Sequence, residues 1–160
     1  MKFSAETLAI MKNFAAINPG LLINPGNELR TVHPQRAGAA RAEVSETFEK
    51  TACIHNLTRF LAVLSLFRDP DVEFGDNKFI IRGDRRVVRY MYASENVIIS
   101  PPRRPDGSYK EVVLSSIDMK ARVSWAEMSE AIKAAGVLGV PNIAFRRDSN
   151  GTHLVAIDSK

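Results

Sequence analysis

The stretch Asn56-Leu57-Thr58-Arg59-Phe60-Leu61-Ala62-Val63-Leu64-Ser65-Leu66-Phe67, closed by Asp69-Pro70, decides the fold. Leu57, Phe60, Leu61, Leu64 and Phe67 recur at helical spacing and make a wide apolar face, while Thr58, Arg59, Ala62 and Ser65 make a narrow polar one. Asn56 is a capping residue, and Pro70 lacks the N–H that a continuing helix needs. Directly after it, residues 72–74, 78–82 and 86–92 read as short strands joined by Gly75-Asp76-Asn77 and Gly83-Asp84, turns of the hairpin type. An amphipathic helix that feeds an antiparallel meander points to an α+β fold, with helices packed on one face of an antiparallel sheet.

Upstream, Ser4 caps a helix over residues 4–17. Its apolar stripe is Thr7, Ile10, Met11, Phe14 and Ile17, and its other stripe is Ala5, Ala9, Lys12, Asn13 and Ala16. Asn18-Pro19-Gly20 stops it. Residues 21–23 and 29–32, joined by Asn24-Pro25-Gly26-Asn27, are expected to form a hairpin with a tight turn. Residues 41–54 then read as one half-buried strand with Val44, Phe48, Ala52 and Ile54 facing inward, an alternation that Glu46 and Lys50 break.

Downstream, residues 100–108 hold three prolines and a glycine, which suits a stiff connector. The expected organisation is a complete first domain over 1–93, a Pro-rich connector over 94–108 and a partial second domain over 109–160. That second domain opens on an alternating strand over 109–123. A helix follows from Ser124, which forms a capping box with Glu127, and a hairpin of 142–147 and 152–157 surrounds Ser149-Asn150-Gly151. A loose match of Ala9-Ile10-Met11-Lys12-Asn13-Phe14 to Ala131-Ile132-Lys133-Ala134-Ala135-Gly136 hints at duplication.

Composition narrows the function. The 160 residues are 45% hydrophobic and 25% charged, within the range of globular proteins that bury a core. No apolar run reaches the roughly 20 residues of a membrane span, and Met1-Lys2-Phe3-Ser4 opens directly into the first helix, so a cytoplasmic chain with no membrane partner is expected. Cys53 is single, and His33, His55 and His153 lie on separate segments, so neither a disulfide, a metal nor a cofactor is expected. Asp69, Asp71, Asp76 and Asp84 flank turns without the spacing of a calcium loop. GxGxxG, Walker, HExxH and GxSxG motifs are absent, and no catalytic residue is assigned, so an enzyme is not expected. Cys53 falls on the solvent side of its strand in this register, and its ordinary role would be packing rather than nucleophilic chemistry.

The informative feature is where cations stand. Lys12, Arg59 and Lys133 each lie on a helix face turned away from the apolar stripe, among the small residues Ala5, Ala9, Ala16, Ala62 and Ala134 that allow a bulky partner to approach. Exposed helices also carry lysines for solubility, and Glu6, Glu127 and Glu130 oppose a phosphate ligand. A net charge of +4 permits a nucleic-acid partner without demanding one.

Met1-Lys2, Lys12-Asn13-Phe14-Ala15, Ile17-Asn18, Ile54, Leu57 and above all Phe60-Leu61-Ala62-Val63-Leu64-Ser65-Leu66 resemble the first domain of the T4-type phage DNA polymerase sliding clamps. The similarity extends more faintly to Asn142-Ile143-Ala144-Phe145. The resemblance implies a DNA-clamp fold and a processivity factor without an active site. Its partners would be duplex DNA of any sequence, the polymerase and a clamp loader, and its subunits would form a homo-oligomeric ring of three in an infected bacterial cell. By position, Lys12, Arg59 and Lys133 would be DNA-binding residues lining the pore. The second domain is much shorter than the first, so the chain reads either as a piece of a longer clamp or as a shortened relative; a closed, stable trimer is not expected, and the exposed strands near residues 142–157 would allow a dimer or weak association. The alternative is a small non-catalytic protein-interaction module with a clamp-like fold.

Overall fold

The computed structural model describes residues 1–110, 116 and 119–158. The chain divides into two compact units, Met1–Glu111 and Val112–Lys160.

The first unit opens with α1 (Ala5–Ile17), whose start is fixed from two directions. Ser4 Oγ accepts from the Thr7 amide at 3.1 Å, and the Glu46 carboxylate reaches across from a strand to accept from the Ser4 amide and the Thr7 hydroxyl. Glu46 breaks the apolar alternation of its strand because it serves as this helix's second cap. Lys50, the other exception, pairs with Asp76 at 3.0 Å.

The strands that follow are β1 (Leu21–Ile23), β2 (Gly26–Val32), β3 (Ala39–Phe48) and β4 (Ala52–Ile54). The hairpin expected between β1 and β2 does not form. β1 pairs with β4, Leu21 opposite Ile54, while β2 pairs with β3, Val32 opposite Ala39, all antiparallel. Residues 21–32 therefore run in one direction against the returning chain, and the reversal falls at 33–38, where the His33 amide donates to the Gly38 carbonyl at 2.8 Å. Asn24-Pro25-Gly26 acts as a kink in a long ribbon. Gly26, at φ +116°, takes a conformation that side chains disfavour and re-aims the strand without turning it back. The expected single strand over 41–54 is likewise interrupted, since residues 49–51 lie outside both ladders.

Next come α2 (Leu57–Leu64) and the meander β5 (Asp71–Phe74), β6 (Lys78–Gly83) and β7 (Arg86–Met91), in spatial order β5-β6-β7. Asn56 Oδ1 accepts from the Arg59 amide at 2.8 Å and caps α2, as its residue type predicts. Leu57, Phe60 and Leu64 face inward. They join Met11, Phe14, Leu29, Val44, Phe48, Val72, Phe79 and Ile81 in one core beneath both helices. Phe60 lies at its centre, with ring centroids 4.7 Å from Phe79 and 5.2 Å from Tyr90. Each fully buried side chain of this size contributes about 1.5–3 kcal/mol relative to exposure, so the core outweighs any single polar contact around it.

Cys53 is buried, contrary to the register that turned it to solvent. The outer face of the β1–β4 ladder is covered by Ile98 and Ala93, which form a second small cluster with Leu22 and Cys53. The thiol is pushed up by burial and, less, by Glu95. The proline-rich stretch packs back on the same unit. Asn18, itself buried, donates to the carbonyls of Val32 at 2.9 Å and Ile99 at 2.7 Å and accepts from the Gly20 amide. The guanidinium groups of Arg30 and Arg103 lie 4.4 and 5.1 Å from the Tyr109 ring centre, and the Tyr109 hydroxyl accepts a hydrogen bond from Asn24.

In the second unit, α3 (Trp125–Leu138) packs on the hairpin of β8 (Asn142–Asp148) and β9 (Gly151–Ile157). The expected capping box is present, with the Ser124 amide donating to Glu127 Oε2 at 2.7 Å and Ser124 Oγ accepting from the Glu127 amide at 3.2 Å. Gly139 ends the helix at φ +66°. Of the strand expected over 109–123, residues 111–115, 117 and 118 lie outside the described residues; among the rest, Tyr109 makes only an isolated bridge to Arg103 and residues 119–123 form no strand.

Candidate nucleic-acid interface

α1 and α2 lie side by side and run antiparallel. Leu8 and Lys12 share an apolar pit with Leu61, Leu64 and Ser65, while Lys12 and Ala15 share a groove of about 350 Å³ with Thr58, Leu61, Ala62 and Ser65. The exposed side chains of this pair are Ala5, Glu6, Ala9, Lys12, Asn13 and Ala16 on α1 and Thr58, Arg59, Ala62 and Ser65 on α2, all but Glu6, Lys12, Asn13 and Arg59 short.

The structure places two of the three sequence-predicted residues on neighbouring helices but on different flanks. Lys12 stands at the groove between the helices, and Arg59 stands on the far flank of α2 beside Tyr90. Burial holds the Tyr90 phenol above its ordinary value. Arg59 and the hydrogen bond that Tyr90 donates to the Asn56 carbonyl at 3.1 Å reduce that shift. Lys133 belongs to the second unit, where it is exposed near the middle of the α3 face turned away from the hairpin. Glu127, which the sequence set against phosphate on this helix, is committed to the Ser124 cap, which leaves Glu130 as the carboxylate one turn from Lys133.

These three cations make no ion pair among the described residues, a state they share with Lys78, Arg85, Arg89, Arg146 and Arg147. Among the described residues, Lys2 pairs with Asp69, Lys50 with Asp76, Arg82 with Glu73 and Arg86 with Asp84, while Lys12, Arg59 and Lys133 have no carboxylate partner. The four paired cations share their charge with a neighbour before any ligand arrives. The three helix-face cations keep theirs, on surfaces where the surrounding short side chains let a phosphate backbone come close. Sequence reading found the three positions through helical periodicity. It missed the sorting by ion pairs, because the partners sit across turns and up to 67 residues apart.

A lysine and an arginine on a smooth helical face contact phosphates, which carry no sequence information. Among the described residues no group of three or more His, Cys, Asp or Glu side chains could hold a metal ion, and no helix is long and apolar enough to cross a membrane.

Two helices side by side over antiparallel ladders, with an outward face of small residues and unpaired cations, define a protein of the DNA-clamp fold. In sequence the chain is similar to the T4-type phage sliding clamps. It is 24% identical over 153 residues to the sliding clamp of Vibrio phage KVP40, covering 95% of this chain and 67% of that one. Over 104 residues it is 34% identical to the sliding clamp of Escherichia phage RB69 and 31% identical to that of Enterobacteria phage T4, in each case 63% of this chain and 45% of the relative. The chain therefore spans about half to two thirds of the length of these relatives. No family model matches it.

Proposed function

We propose that this chain is a DNA polymerase processivity factor that holds duplex DNA without regard to sequence, through Lys12 and Arg59 on the first unit and Lys133 on the second. The observation that supports the reading is the outward face of α1 and α2, where Lys12 and Arg59 make no ion pair and most neighbours are short, Glu6 in the first turn of α1 being the one carboxylate there. Retention rather than turnover is the role that such a surface suits. Phosphate contacts bind every register equally, so a protein that relies on them slides. The tethered partner is the replicative polymerase and the loading partner a clamp loader, in the cytoplasm of an infected bacterial host, and the assembled form is a homo-oligomer.

The test is the salt dependence of binding to duplexes of unrelated sequence, followed by fluorescence anisotropy. Each phosphate neutralised adds about 0.9 to the slope of log K against log salt, so three contacts weaken binding about 40-fold between about 50 and 200 mM salt. The triple variant Lys12→Ala, Arg59→Ala, Lys133→Ala loses that share of the slope equally for every duplex. A triple variant with the slope of the parent, or a loss confined to one duplex sequence, removes these residues from the interface.

A further inference from the structure

The turn between β6 and β7 holds a residue that its backbone disfavours. Gly83 pairs with Arg86, so the loop is Asp84-Arg85, and both residues take a positive φ, +48° and +63°. A loop of this kind ordinarily holds Asn-Gly or Asp-Gly, because its second position is left-handed and glycine enters that region freely. Asp84 tolerates it, since a short polar side chain bonds locally, whereas arginine has no such compensation. The Arg85 side chain is exposed and makes no hydrogen bond or ion pair among the described residues. The fold therefore carries a strained arginine whose side chain does nothing for the fold.

The same turn is fixed against the end of α2. The Arg68 amide donates to Asp84 Oδ2 at 3.2 Å, and a Cβ at Gly83 would come within 3.2 Å of the Phe67 ring. The Arg86 guanidinium lies 5.0 Å from the Phe67 ring centre, donates to the Leu66 carbonyl at 2.7 Å and meets Asp84 at 3.4 Å. The two carboxylates of this corner are thus engaged, Asp84 by Arg86 and the Arg68 amide, Asp69 by Lys2. The Arg68 side chain, like that of Arg85, is exposed and has no partner among the described residues. Both keep their charge.

β7 connects this corner to Arg59. Tyr90 stands beside Arg59 at the start of α2 and donates to the Asn56 carbonyl, while Arg86, at the other end of the strand, reaches the Leu66 carbonyl just past the end of the helix. The strand thus runs along the flank of α2 that Arg59 occupies, and Arg86 lies about 13 Å from Tyr90 at the ordinary rise of a strand.

We propose that Arg68 and Arg85 form a second phosphate-contact site, continuing the flank that begins at Arg59, with Arg86 as the residue that positions them. The proposal rests on the DNA-holding function above and extends it beyond the helix faces. One strand of a duplex carries a phosphate per about 3.4 Å of axis, so the distance from Arg59 to the corner spans about four phosphates. The forked donors of a guanidinium take two oxygens of one phosphate, and they do so whatever the bases are.

The test is duplex binding by fluorescence anisotropy across a salt series, with urea denaturation alongside. Arg68→Ala with Arg85→Gly lowers the salt slope by about 1.8, so binding weakens about 12-fold less than in the parent between about 50 and 200 mM salt. Arg85→Gly alone removes about 0.9 of slope, while its urea midpoint stays level or rises because Asp-Gly is the favoured pair for this turn. Arg89 lies on the opposite face of β7 from Val88 and Tyr90, which pack on the core, and Arg89→Ala keeps the parental slope. A double variant with the parental slope overturns the proposal, and so does an equal loss in Arg89→Ala, which makes the effect one of net charge. A lowered urea midpoint in Arg85→Gly overturns it too, because Arg85 then serves the fold. If the double variant loses binding to polyglutamate but keeps the duplex slope, the corner belongs to an acidic protein surface and the proposal falls. A parent chain without salt-dependent duplex binding refutes the DNA-holding function itself. A slope lost in Lys12→Ala, Arg59→Ala, Lys133→Ala and kept in Arg68→Ala, Arg85→Gly refutes this extension alone.

Discussion

Replacing Glu46 tests whether a strand carboxylate holds the first helix in place. Its two oxygens accept from the Ser4 amide, the Thr7 hydroxyl and the Ser45 hydroxyl, and Thr7 is fully buried. In Glu46→Ala the Ser4 amide and Thr7 hydroxyl lose this acceptor. A hydrogen bond to a charged group contributes about 1.5–3 kcal/mol when it is well buried, and a partly buried orphan donor costs about 1–3 kcal/mol. The carboxylate also faces the positive end of α1, worth about 0.3–1 kcal/mol more. The expected loss is about 2–4 kcal/mol, and about 1–2 kcal/mol in Glu46→Gln, which keeps one acceptor. Burial pushes this carboxyl up, but the bonds from Thr7 and Ser4 outweigh it and hold it below the ordinary value. A carboxylate depressed in the folded state stabilises fully above its unfolded value and loses that contribution as pH falls through the folded one. Urea midpoints at pH 3 to 7 therefore draw together for the parent chain and Glu46→Gln on the acid side and separate above about pH 4.5. Parallel curves across that range, or a Glu46→Ala loss below about 1 kcal/mol, refute the reasoning.

Phe60→Ala removes a fully buried ring that touches Phe3, Phe79 and Tyr90, and urea denaturation should show a loss of about 3–5 kcal/mol. Tyr92→Phe is expected to be neutral or stabilising by up to about 1 kcal/mol in the same assay, because the buried Tyr92 hydroxyl has no hydrogen-bond partner. Burial, with Cys53 and Asp76 nearby, also pushes that phenol up to about 12, so the alkaline absorbance titration of Tyr92→Phe should lack the latest-ionising tyrosine. Asn18→Ala breaks bonds to Val32, Ile99 and Gly20 and should cost about 2–4 kcal/mol, with faster amide exchange near Ile98 as the local signature.

Local periodicity and capping chemistry determined a good deal of this protein from the sequence alone. Ser4, Asn56 and Ser124 cap the helices they were expected to cap, because a side-chain oxygen that satisfies an amide two or three residues on needs nothing from the rest of the chain. The apolar faces of α1 and α2 and the β5–β6–β7 meander were legible for the same reason, since a helix or strand buries whichever face its spacing makes apolar. The outward positions of Lys12, Arg59 and Lys133 followed as the complement of those faces. Tertiary structure alone decided what depends on residues distant in the chain. Asn24-Pro25-Gly26 reads equally as a turn or a kink, and it became a kink because residues 39–54 return alongside both β1 and β2 and satisfy their backbone groups. Glu46 looked like a fault in a strand until α1 lay across it, and Cys53 looked exposed until Ile98, 45 residues on, covered it. The division of the cations into paired and unpaired is of the same kind. An ion pair needs a carboxylate brought within reach by the fold, and the spacing of charges along the chain carries no record of which ones meet.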